Sequence, residues 1–470
     1  MFPLRQYDFK AHTHLYTFKD LRILLDVNSG AVHIVDEVAF DLIQALRARR
    51  GDLEDARQSI ASLHAPDQIH RADQEIRAAI HEQTLFTPET EYQFDFSRLP
   101  LKALCINIAH ACNMRCRYCF AGQGNFGQET ALMSAGTGRK AIDYLLCHSE
   151  GASRLEVDFF GGEPLLNVPV LKELVDYAGA RAGETGQTVN FTLTTNAVLL
   201  DDSIMDFIID RDISIILSLD GRPEVNDLYR QFPEGRGSYD HIVPRIAAMV
   251  ARKPVSYYVR GTFSRSNLDF SRDFDHLARL GFDAISLEPA TGTDPDFAIQ
   301  EEDVPRVLSE YEKLTQLLLE YEQGGRKIDF FHFNLDLQRG PCLAKITSGC
   351  GAGLEYLAVT PGGDLYPCHQ FIGQKDFYMG NVHREQPVGA AVRQQFLHSQ
   401  LQNKDCRQCW ARFYCGGGCL AQAHKLNQSM RQPVHSTCAM HKKRIECAIY
   451  LNIRKQVSSF LSNNEQKNTN

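Results

Sequence analysis

Six short apolar runs of strand length recur from about Leu101 onward and alternate with longer segments of helical spacing. The runs are KALCINIAH, RLEVDFFGG, TVNFTLTTNA, ISIILSLDG, SYYVRGTF and AISLEP. Helical segments such as AGTGRKAIDYLLCHS and VPVLKELVDYAGARAG lie between them. This alternation predicts an α/β fold with a parallel sheet, and six strands predict a partial barrel rather than a closed eight-stranded one.

Polar loops follow these runs at the end where such folds bind ligands. The cysteine-rich ACNMRCRYCF comes directly after the first run, and GGEP, TTNA, SLDG and EPA come after later ones. The carboxyl ends of parallel strands meet at one edge of the sheet. Each loop alone is ordinary, but together they are expected to line one mouth.

The first loop places Cys112, Cys116 and Cys119 three and two residues apart. A structural zinc ion takes four ligands. A cubic iron–sulfur cluster held by three thiolates keeps one iron open to a substrate or cofactor. The alternatives are three buried cysteines or a zinc site with a distant fourth ligand. The spacing and the neighbouring Tyr118 and Phe120 favour the cluster.

CNMRCRYC, with an aromatic residue just before its last cysteine, resembles the hallmark of the radical S-adenosylmethionine (SAM) superfamily. The resemblance covers the whole run of predicted strands and implies a partial (β/α)6 barrel. It implies that SAM chelates the open iron through its amino and carboxylate groups. Reductive cleavage of SAM then yields a 5′-deoxyadenosyl radical that removes a substrate hydrogen.

The resemblance also implies a set of SAM-binding residues, while it assigns no catalytic acid or base. GGEP matches the motif that meets the SAM amino group, where glycines permit close backbone approach. An arginine suits the SAM carboxylate because its fork donates two bonds, although a surface ion pair is the alternative for this side chain. The implied residues are Tyr118, Phe120, Gly161, Gly162, Glu163, Thr195, Asn196, Ser218 and Arg230.

Composition narrows the setting of the protein. The chain has 470 residues, 43% of them hydrophobic, and a formal net charge of -8, so two or three domains without a nucleic-acid partner are expected. No signal peptide or membrane span is visible, which predicts a cytoplasmic protein without a membrane partner. Fourteen cysteines in a reducing compartment favour metal or thiol chemistry over disulfides.

Most of these cysteines crowd the last third of the chain, in an order that resembles the seven-cysteine SPASM extension of radical SAM enzymes. The resemblance implies two auxiliary 4Fe-4S clusters, and so three clusters in all. The implied outer ligands are Cys406, Cys409, Cys415 and Cys438, and the implied inner ligands are Cys350, Cys368 and Cys419.

Seven thiolates leave one corner of the inner cluster open. Either Cys342 or a substrate cysteine completes it, and the sequence does not choose between them. Cys105, Cys147 and Cys447 fit no pattern and are expected to be buried apolar residues.

The first ninety-odd residues differ in character. The turn residues Asn28, Ser29 and Gly30 predict a hairpin, and EVAFDLIQALRARR is the first of three helical segments. A winged-helix layout is predicted, with a mere packing appendage as the alternative. The expected domains are 1–96 for this module, 97–335 for the barrel and 336–460 for the SPASM region, followed by a disordered tail at 461–470.

The chain as a whole resembles SPASM peptide maturases that form thioethers, in the SCIFF/ranthipeptide or sactipeptide group. The resemblance implies carbon–sulfur crosslinks in a ribosomally made precursor peptide, whose leader binds the N-terminal module, and an electron donor such as flavodoxin or ferredoxin. One alternative is an anaerobic sulfatase maturase that makes formylglycine. Those enzymes commonly carry Asp where His369 stands. Another alternative is a non-enzymatic iron–sulfur escort protein.

Overall fold

The computed structural model describes residues 4–90, 99–337, 340–384, 389–398 and 404–468. The predicted domain boundary at 96/97 lies outside these residues, and the other domain limits stay predictions. The N-terminal module consists of helix α1 (Phe9–His12), strands β1 (Thr13–Phe18), β2 (Leu21–Asp26) and β3 (Val32–Val35), and helices α2 (Glu37–Ala48), α3 (Leu53–Ile60) and α4 (Pro66–His81).

The three strands form an antiparallel sheet in the order β1-β2-β3, one strand more than the predicted hairpin. The predicted turn at Asn28-Ser29-Gly30 joins β2 to β3, where Gly30 has a φ of +76°. Asp36 caps α2 by accepting a hydrogen bond from the amide of Ala39. The inner face of α2 then packs with α3 and α4 in a small core of its own.

All six predicted strands form, and they lie side by side in chain order in one parallel sheet. A short antiparallel strand flanks the first of them, and a two-residue strand extends the far edge. The strands are β4 (Ala103–His110), the flanking β5 (Ala131–Leu132), β6 (Arg154–Gly161), β7 (Thr188–Thr195), β8 (Ser214–Ser218), β9 (Tyr257–Phe263), β10 (Ala284–Pro289) and β11 (Asp329–Phe330).

Helices cross over between these strands, and their apolar sides join one large core with the sheet. Capping residues set the ends of the first two crossover helices. Ser134 caps the N-terminus of the first, and Gly186, with a φ of +69°, ends the second. The crossover helices are α5 (Ala135–Cys147), α6 (Val168–Thr185), α7 (Asp202–Asp210), α8 (Pro223–Tyr229), α9 (Tyr239–Ala251), α10 (Phe270–Arg279) and α11 (Val304–Gln323).

The C-terminal region is more regular than its sequence suggested, because three of its segments extend the barrel sheet. The first pairs in parallel with β4, and the others follow it as an antiparallel pair. These three strands are β12 (Tyr356–Val359), β13 (Asp364–Tyr366) and β14 (Gly380–Asn381). The helices of this region are α12 (Leu343–Thr347), α13 (Ala390–His398), α14 (Arg412–Cys415), α15 (Leu420–Asn427) and α16 (His435–Asn468).

Residues 461–468, which fall in the predicted disordered tail at 461–470, continue α16 in the described structure. The earlier part of this helix is anchored by buried residues such as Ile445, Ile449 and Leu451. It also packs on α11, where Arg444 Nε donates to the Tyr311 hydroxyl at 2.8 Å. Once a helix is nucleated by tertiary packing, each further residue adds a hydrogen bond at low cost, so a polar segment can extend it.

Candidate active site

A cavity of about 330 Å³ opens at the carboxyl ends of the barrel strands. The three cysteines of the loop after β4 lie in its wall. The structure also brings every implied SAM-binding residue to it, from the loops after β4, β6, β7 and β8. The predicted residues in the wall are Cys112, Cys116, Cys119, Tyr118, Phe120, Gly161, Gly162, Glu163, Thr195, Asn196, Ser218 and Arg230.

The cysteine loop is held by backbone hydrogen bonds to the segment after α8. The Arg115 amide donates to the Gln231 carbonyl at 2.8 Å, and the Arg117 amide donates to the Tyr229 carbonyl at 3.0 Å. Within the loop, the Met114 amide donates to Cys112 Sγ at 3.4 Å. These hydrogen bonds tie the cysteine loop to the segment after α8 and so help to position its three thiols at the cavity.

The glycines of GGEP allow the cysteine loop to lie close to the end of β6. Gly161 has a φ of +135°, and a Cβ there would lie 2.2 Å from the Ala109 carbonyl oxygen. A Cβ on Gly162 would lie 2.1 Å from the Ala111 carbonyl oxygen. In this structure the missing side chains of Gly161 and Gly162 allow close contact with the backbone at the end of β4 and in the cysteine loop; the expected contact with SAM stays a prediction.

Glu163 organises the neighbouring loop after β7. Its buried carboxylate accepts hydrogen bonds from Thr195 Oγ1 at 2.8 Å, the Asn196 amide at 2.8 Å and the Leu165 amide at 3.0 Å. Burial raises the pKa of Glu163, although these bonds oppose the rise. Asn196 Nδ2 in turn lies 3.7 Å from Cys112 Sγ, so GGEP, TTNA and the cysteine loop form one connected wall.

Arg230 is buried, with 6% of its surface exposed, which rules out the alternative of a surface ion pair. Its Nη1 donates to the Tyr118 hydroxyl at 3.3 Å, and that hydroxyl donates to Asp220 Oδ2 at 2.6 Å. Burial raises the pKa of Asp220 to about 6, while Arg230 opposes that rise. Arg230 Nε is buried without a hydrogen-bond partner in the part of the chain that the structure describes.

The residues fit an iron–sulfur cluster with an anionic ligand beside it. Burial raises the pKa of Cys112 to about 12 and that of Cys116 to about 11, so these thiols become good ligands only with a compensating cation. The unused Nε–H of Arg230 suits a carboxylate. Within the described ranges, no group of three or more His, Cys, Asp or Glu side chains is arranged to hold a single metal ion. A cubic cluster instead spreads its thiolates over separate corners.

Shifted pKa values indicate which of the C-terminal cysteines influence one another. Burial raises the pKa of Cys438 to about 11, with further contributions from the charges of Cys415, Cys406 and Cys409. In the second set, burial raises the pKa of Cys368 to about 12, and the charges of Cys419 and Cys350 contribute. The fold therefore brings the members of each set near one another, while their ligand roles stay a prediction.

The remaining cysteines are placed differently from one another. Cys105 and Cys447 are buried as expected, but Cys147 is exposed. It is the last residue of α5, where the helix leaves the core. Cys342 is exposed at the start of α12.

Several residues of the cavity wall were not among the predicted site residues, although the sequence analysis had noted the EPA loop and His369. The ends of β9 and β10 contribute Arg260 and Glu288, and the C-terminal region contributes His369, Gln422 and Lys425. The run EPA after the last strand pointed to Glu288, but no sequence signal placed the C-terminal residues here. They reach the cavity because β12 pairs with β4 and carries the SPASM region to the barrel mouth.

Two of the missed residues have shifted pKa values. Burial opposes ionisation of Glu288, but the neighbouring His332, Arg444 and Arg260 lower its pKa to about 2. Burial, with the charge of Arg260, lowers the pKa of His369 to about 4. At neutral pH the cavity wall therefore contains an ionised carboxylate, Glu288, and a neutral imidazole, His369.

Comparison with protein families gives two matches. Residues 103–244 match a family described as a 4Fe-4S single cluster domain, and residues 350–410 match SPASM, described as an iron-sulfur cluster-binding domain. These ranges contain the three-cysteine loop and the start of the C-terminal cysteine series. Among the described residues, no helix is long and apolar enough to cross a membrane.

Curated relatives include several maturases. A mycofactocin maturase of Mycobacterium ulcerans is 26% identical over 344 residues, which are 72% of this chain and 88% of that protein. A serine-type anaerobic sulfatase-maturating enzyme of Klebsiella aerogenes is 22% identical and covers 69% of this chain and 81% of its own length. The chain spans 62% of the length of another relative, an uncharacterized protein of Methanocaldococcus jannaschii, with 28% identity over 191 residues.

Solved structures share the fold. The structure called native anSMEcpe with bound AdoMet has a TM-score of 0.61, with 18% identity over 76% of this chain and 99% of that one. Streptococcus suis SuiB bound to S-adenosylmethionine has a TM-score of 0.53, with 16% identity over 91% of this chain and 98% of that one. The two iron–sulfur domain matches, the maturase relatives and the shared fold together support the assignment of this chain to the radical SAM/SPASM maturase family.

Proposed function

We propose that this enzyme uses SAM to install thioether crosslinks, from cysteine sulfur to carbon, in a ribosomally made cysteine-rich precursor peptide. The observation that carries the proposal is a single cavity with two kinds of wall. One side is built by the barrel loops with Cys112, Cys116 and Cys119. The other is built by SPASM residues next to the inner cysteine set, such as His369 beside Cys368.

The cluster at the three-cysteine loop, when bound with SAM, would supply a radical that takes one hydrogen atom from the substrate carbon. The cysteine thiol gives up its proton as the carbon–sulfur bond forms, and the remaining electron would pass to an auxiliary cluster held by the C-terminal cysteines. The chain's own residues then set where the ligands lie. Arg230 offers its unused Nε–H to the SAM carboxylate, and the carboxylate of Glu163 holds Thr195 and Asn196 against the cysteine loop. Phe120 and Phe160 pack near His369, with ring centroids 5.4 and 4.9 Å from it, which limits water at that wall.

A peptide substrate is supported by the N-terminal module. Strand β3 is an edge strand that pairs with β2 alone among the described strands, and its Ile34 side chain is 54% exposed. An open strand edge can accept an extended peptide as an added strand, with main-chain bonds for affinity and side-chain pockets for selectivity. The SuiB structure has also been solved with its precursor peptide SuiA. We therefore assign leader binding to β3. The proposal also includes flavodoxin or ferredoxin as the electron donor, as the family resemblance implies.

Formylglycine formation is the second candidate, because one relative is a sulfatase-maturating enzyme and native anSMEcpe shares the fold. Such enzymes commonly have Asp after the cysteine that matches Cys368. Here His369 stands there, and burial keeps it neutral at physiological pH. A carboxylate base at this position is thus missing, which favours the thioether reaction.

The test is mass spectrometry of a short cysteine-rich precursor, encoded beside the gene and co-expressed with the enzyme. A thioether product has lost two hydrogen atoms per crosslink, and one thiol no longer reacts with alkylating reagents. Formylglycine from cysteine loses sulfur and gains a carbonyl that a hydrazine captures. A hydrazine-reactive product with every remaining thiol free would overturn the thioether assignment.

Leader binding is tested separately with Ile34→Asp. This change puts a charge on the β3 edge and should reduce crosslinking while 5′-deoxyadenosine formation without peptide continues. Val255→Asp is the matched control, because Val255 is 63% exposed and lies in the barrel outside the N-terminal module. Equal crosslinking by both variants would show that β3 is not the leader site.

A further inference from the structure

The segment between Cys409 and Cys415 belongs to the outer cysteine set, yet its side chains pack on the N-terminal module. Trp410, the only tryptophan of the chain, stacks on the imidazole of His14 in β1, with ring centroids 3.7 Å apart and planes 4° apart. His14 Nε2 also lies 2.9 Å from Glu446 Oε1 of α16. One face of β1 is thereby fixed to the residue that directly follows an implied cluster ligand.

Arg412 makes a second connection to the same module. It is 4% exposed, and its Nη1 donates to the Ala11 carbonyl at 2.8 Å and to the Cys409 carbonyl at 3.3 Å. Its Nη2 donates to Asn28 Oδ1 at 2.6 Å. A single guanidinium therefore joins the cysteine segment to α1, just before β1, and to the β2–β3 turn.

Asn28 passes this connection on within the module. Its Nδ2 donates to the Thr87 carbonyl at 2.8 Å, beyond the end of α4. The turn that contains Asn28 leads directly into β3, the proposed leader strand. The guanidinium of Arg412 is buried and charged, so loss of one of its hydrogen-bond partners is costly.

We propose that Arg412 and Trp410 couple the N-terminal sheet to the outer cysteine site, so that a change at the sheet alters the outer iron–sulfur cluster and loss of that cluster loosens the sheet. Arg412 is a positioning residue in this scheme, since it acts through the ligand-bearing segment. The inference rests on the proposed function for the presence of a cluster at the outer set and for the peptide on the sheet. Coupling between two sites is reciprocal, so both directions must be observed.

The first direction is tested on the full-length, reconstituted protein by redox titration followed by electron paramagnetic resonance. Asn28→Leu removes the acceptor for Arg412, whereas Asn28→Asp keeps it. The leucine variant should shift the g-values and midpoint potential of one auxiliary cluster. The aspartate variant keeps the acceptor for Arg412 but loses the donor to the Thr87 carbonyl, so it should shift them less. Cys438→Ala identifies which signal belongs to the outer cluster, since Cys438 lies on α16 outside the Cys409–Cys415 segment.

The second direction is tested by hydrogen exchange, which does not depend on catalysis. In Cys438→Ala, amides of residues 13–18 and 27–31 should exchange at least about 5-fold faster than in wild type, the low end of usual coupling strengths. Amides of β12 serve as the internal control. If Asn28→Leu fails to fold, this measurement still decides the matter.

Equal exchange of the N-terminal amides with and without the outer cluster would overturn the coupling, as would an unchanged outer-cluster signal in a folded Asn28→Leu protein. Neither result would bear on the crosslinking chemistry, because the wild-type enzyme and its precursor are assayed separately by mass. Iron analysis that finds no cluster at the outer set would overturn the coupling together with the two-auxiliary-cluster part of the proposed function.

Discussion

Arg230→Lys should weaken SAM binding without unfolding the protein. The lysine keeps the positive charge that Asp220 and Tyr118 surround, but it loses the fork whose Nε–H is unused in the described structure. Lys also cannot donate two parallel bonds to one carboxylate. The variant therefore isolates hydrogen-bond geometry from charge.

The size of the effect follows from the bond that is lost. A hydrogen bond to a charged group contributes about 1.5 to 3 kcal/mol. Since each 1.4 kcal/mol is tenfold in an equilibrium constant, the SAM dissociation constant should rise by roughly 10- to 150-fold. Removing the charge as well, in Arg230→Met, leaves Asp220 buried without its cation and should also destabilise the fold, by about 3 to 5 kcal/mol.

The assay is anaerobic calorimetric titration of the reconstituted enzyme with SAM. Arg222→Lys is the matched control, because Arg222 stands at the other end of α8 and pairs with Asp273 at 2.7 Å and Asp269 at 2.8 Å, outside the cavity wall. It should change stability and leave SAM affinity within about 2-fold of wild type, since its bonds are to the protein alone. An Arg230→Lys affinity equal to that of the control would refute the assignment of Arg230 to the SAM carboxylate.

Three further predictions concern the clusters and the barrel interior. Changing Cys112, Cys116 and Cys119 together to Ala should abolish 5′-deoxyadenosine formation after anaerobic reconstitution, and continued formation would contradict the site. Burial, with Glu156, raises the pKa of Asp158 to about 6, so the folded state binds the proton more tightly and the free energy of unfolding falls as pH rises from about 4 to 6. Asp158→Asn should therefore be more stable than wild type at pH 7 by at most about 3 kcal/mol in urea titrations. An unchanged urea midpoint would be inconsistent with that shift. Cys342→Ala should leave the iron content unchanged if a substrate thiolate completes the inner cluster, whereas loss of about four irons per chain would identify Cys342 as its eighth ligand.

The sequence by itself determined much of the site because its chemistry is local. The spacing of Cys112, Cys116 and Cys119 lies within one loop, and the loop follows a strand that the apolar pattern already marked. The same holds for GGEP and TTNA, each of which directly follows its strand. Parallel strands in chain order bring such loops to one edge without further information, so all nine implied SAM-binding residues line the cavity.

Only the tertiary structure decided what lies opposite those loops. Tyr356–Val359 pairs with β4 in parallel, a contact between segments about 250 residues apart in the chain, and no local pattern encodes it. That pairing brings His369 and Lys425 to the cavity. It also explains why the C-terminal region, which looked irregular from its glycines and cysteines, contributes strands to the central sheet.

Burial was likewise a property of the fold and not of the residue type. A surface ion pair was the alternative for Arg230 until the structure placed its guanidinium near Tyr118 and Asp220. Arg412 gave no signal in the sequence, because its partners are backbone and side-chain oxygens of a distant module. Sequence thus determined the chemistry that each loop carries, whereas long-range packing decided which charges are buried and which modules share a wall.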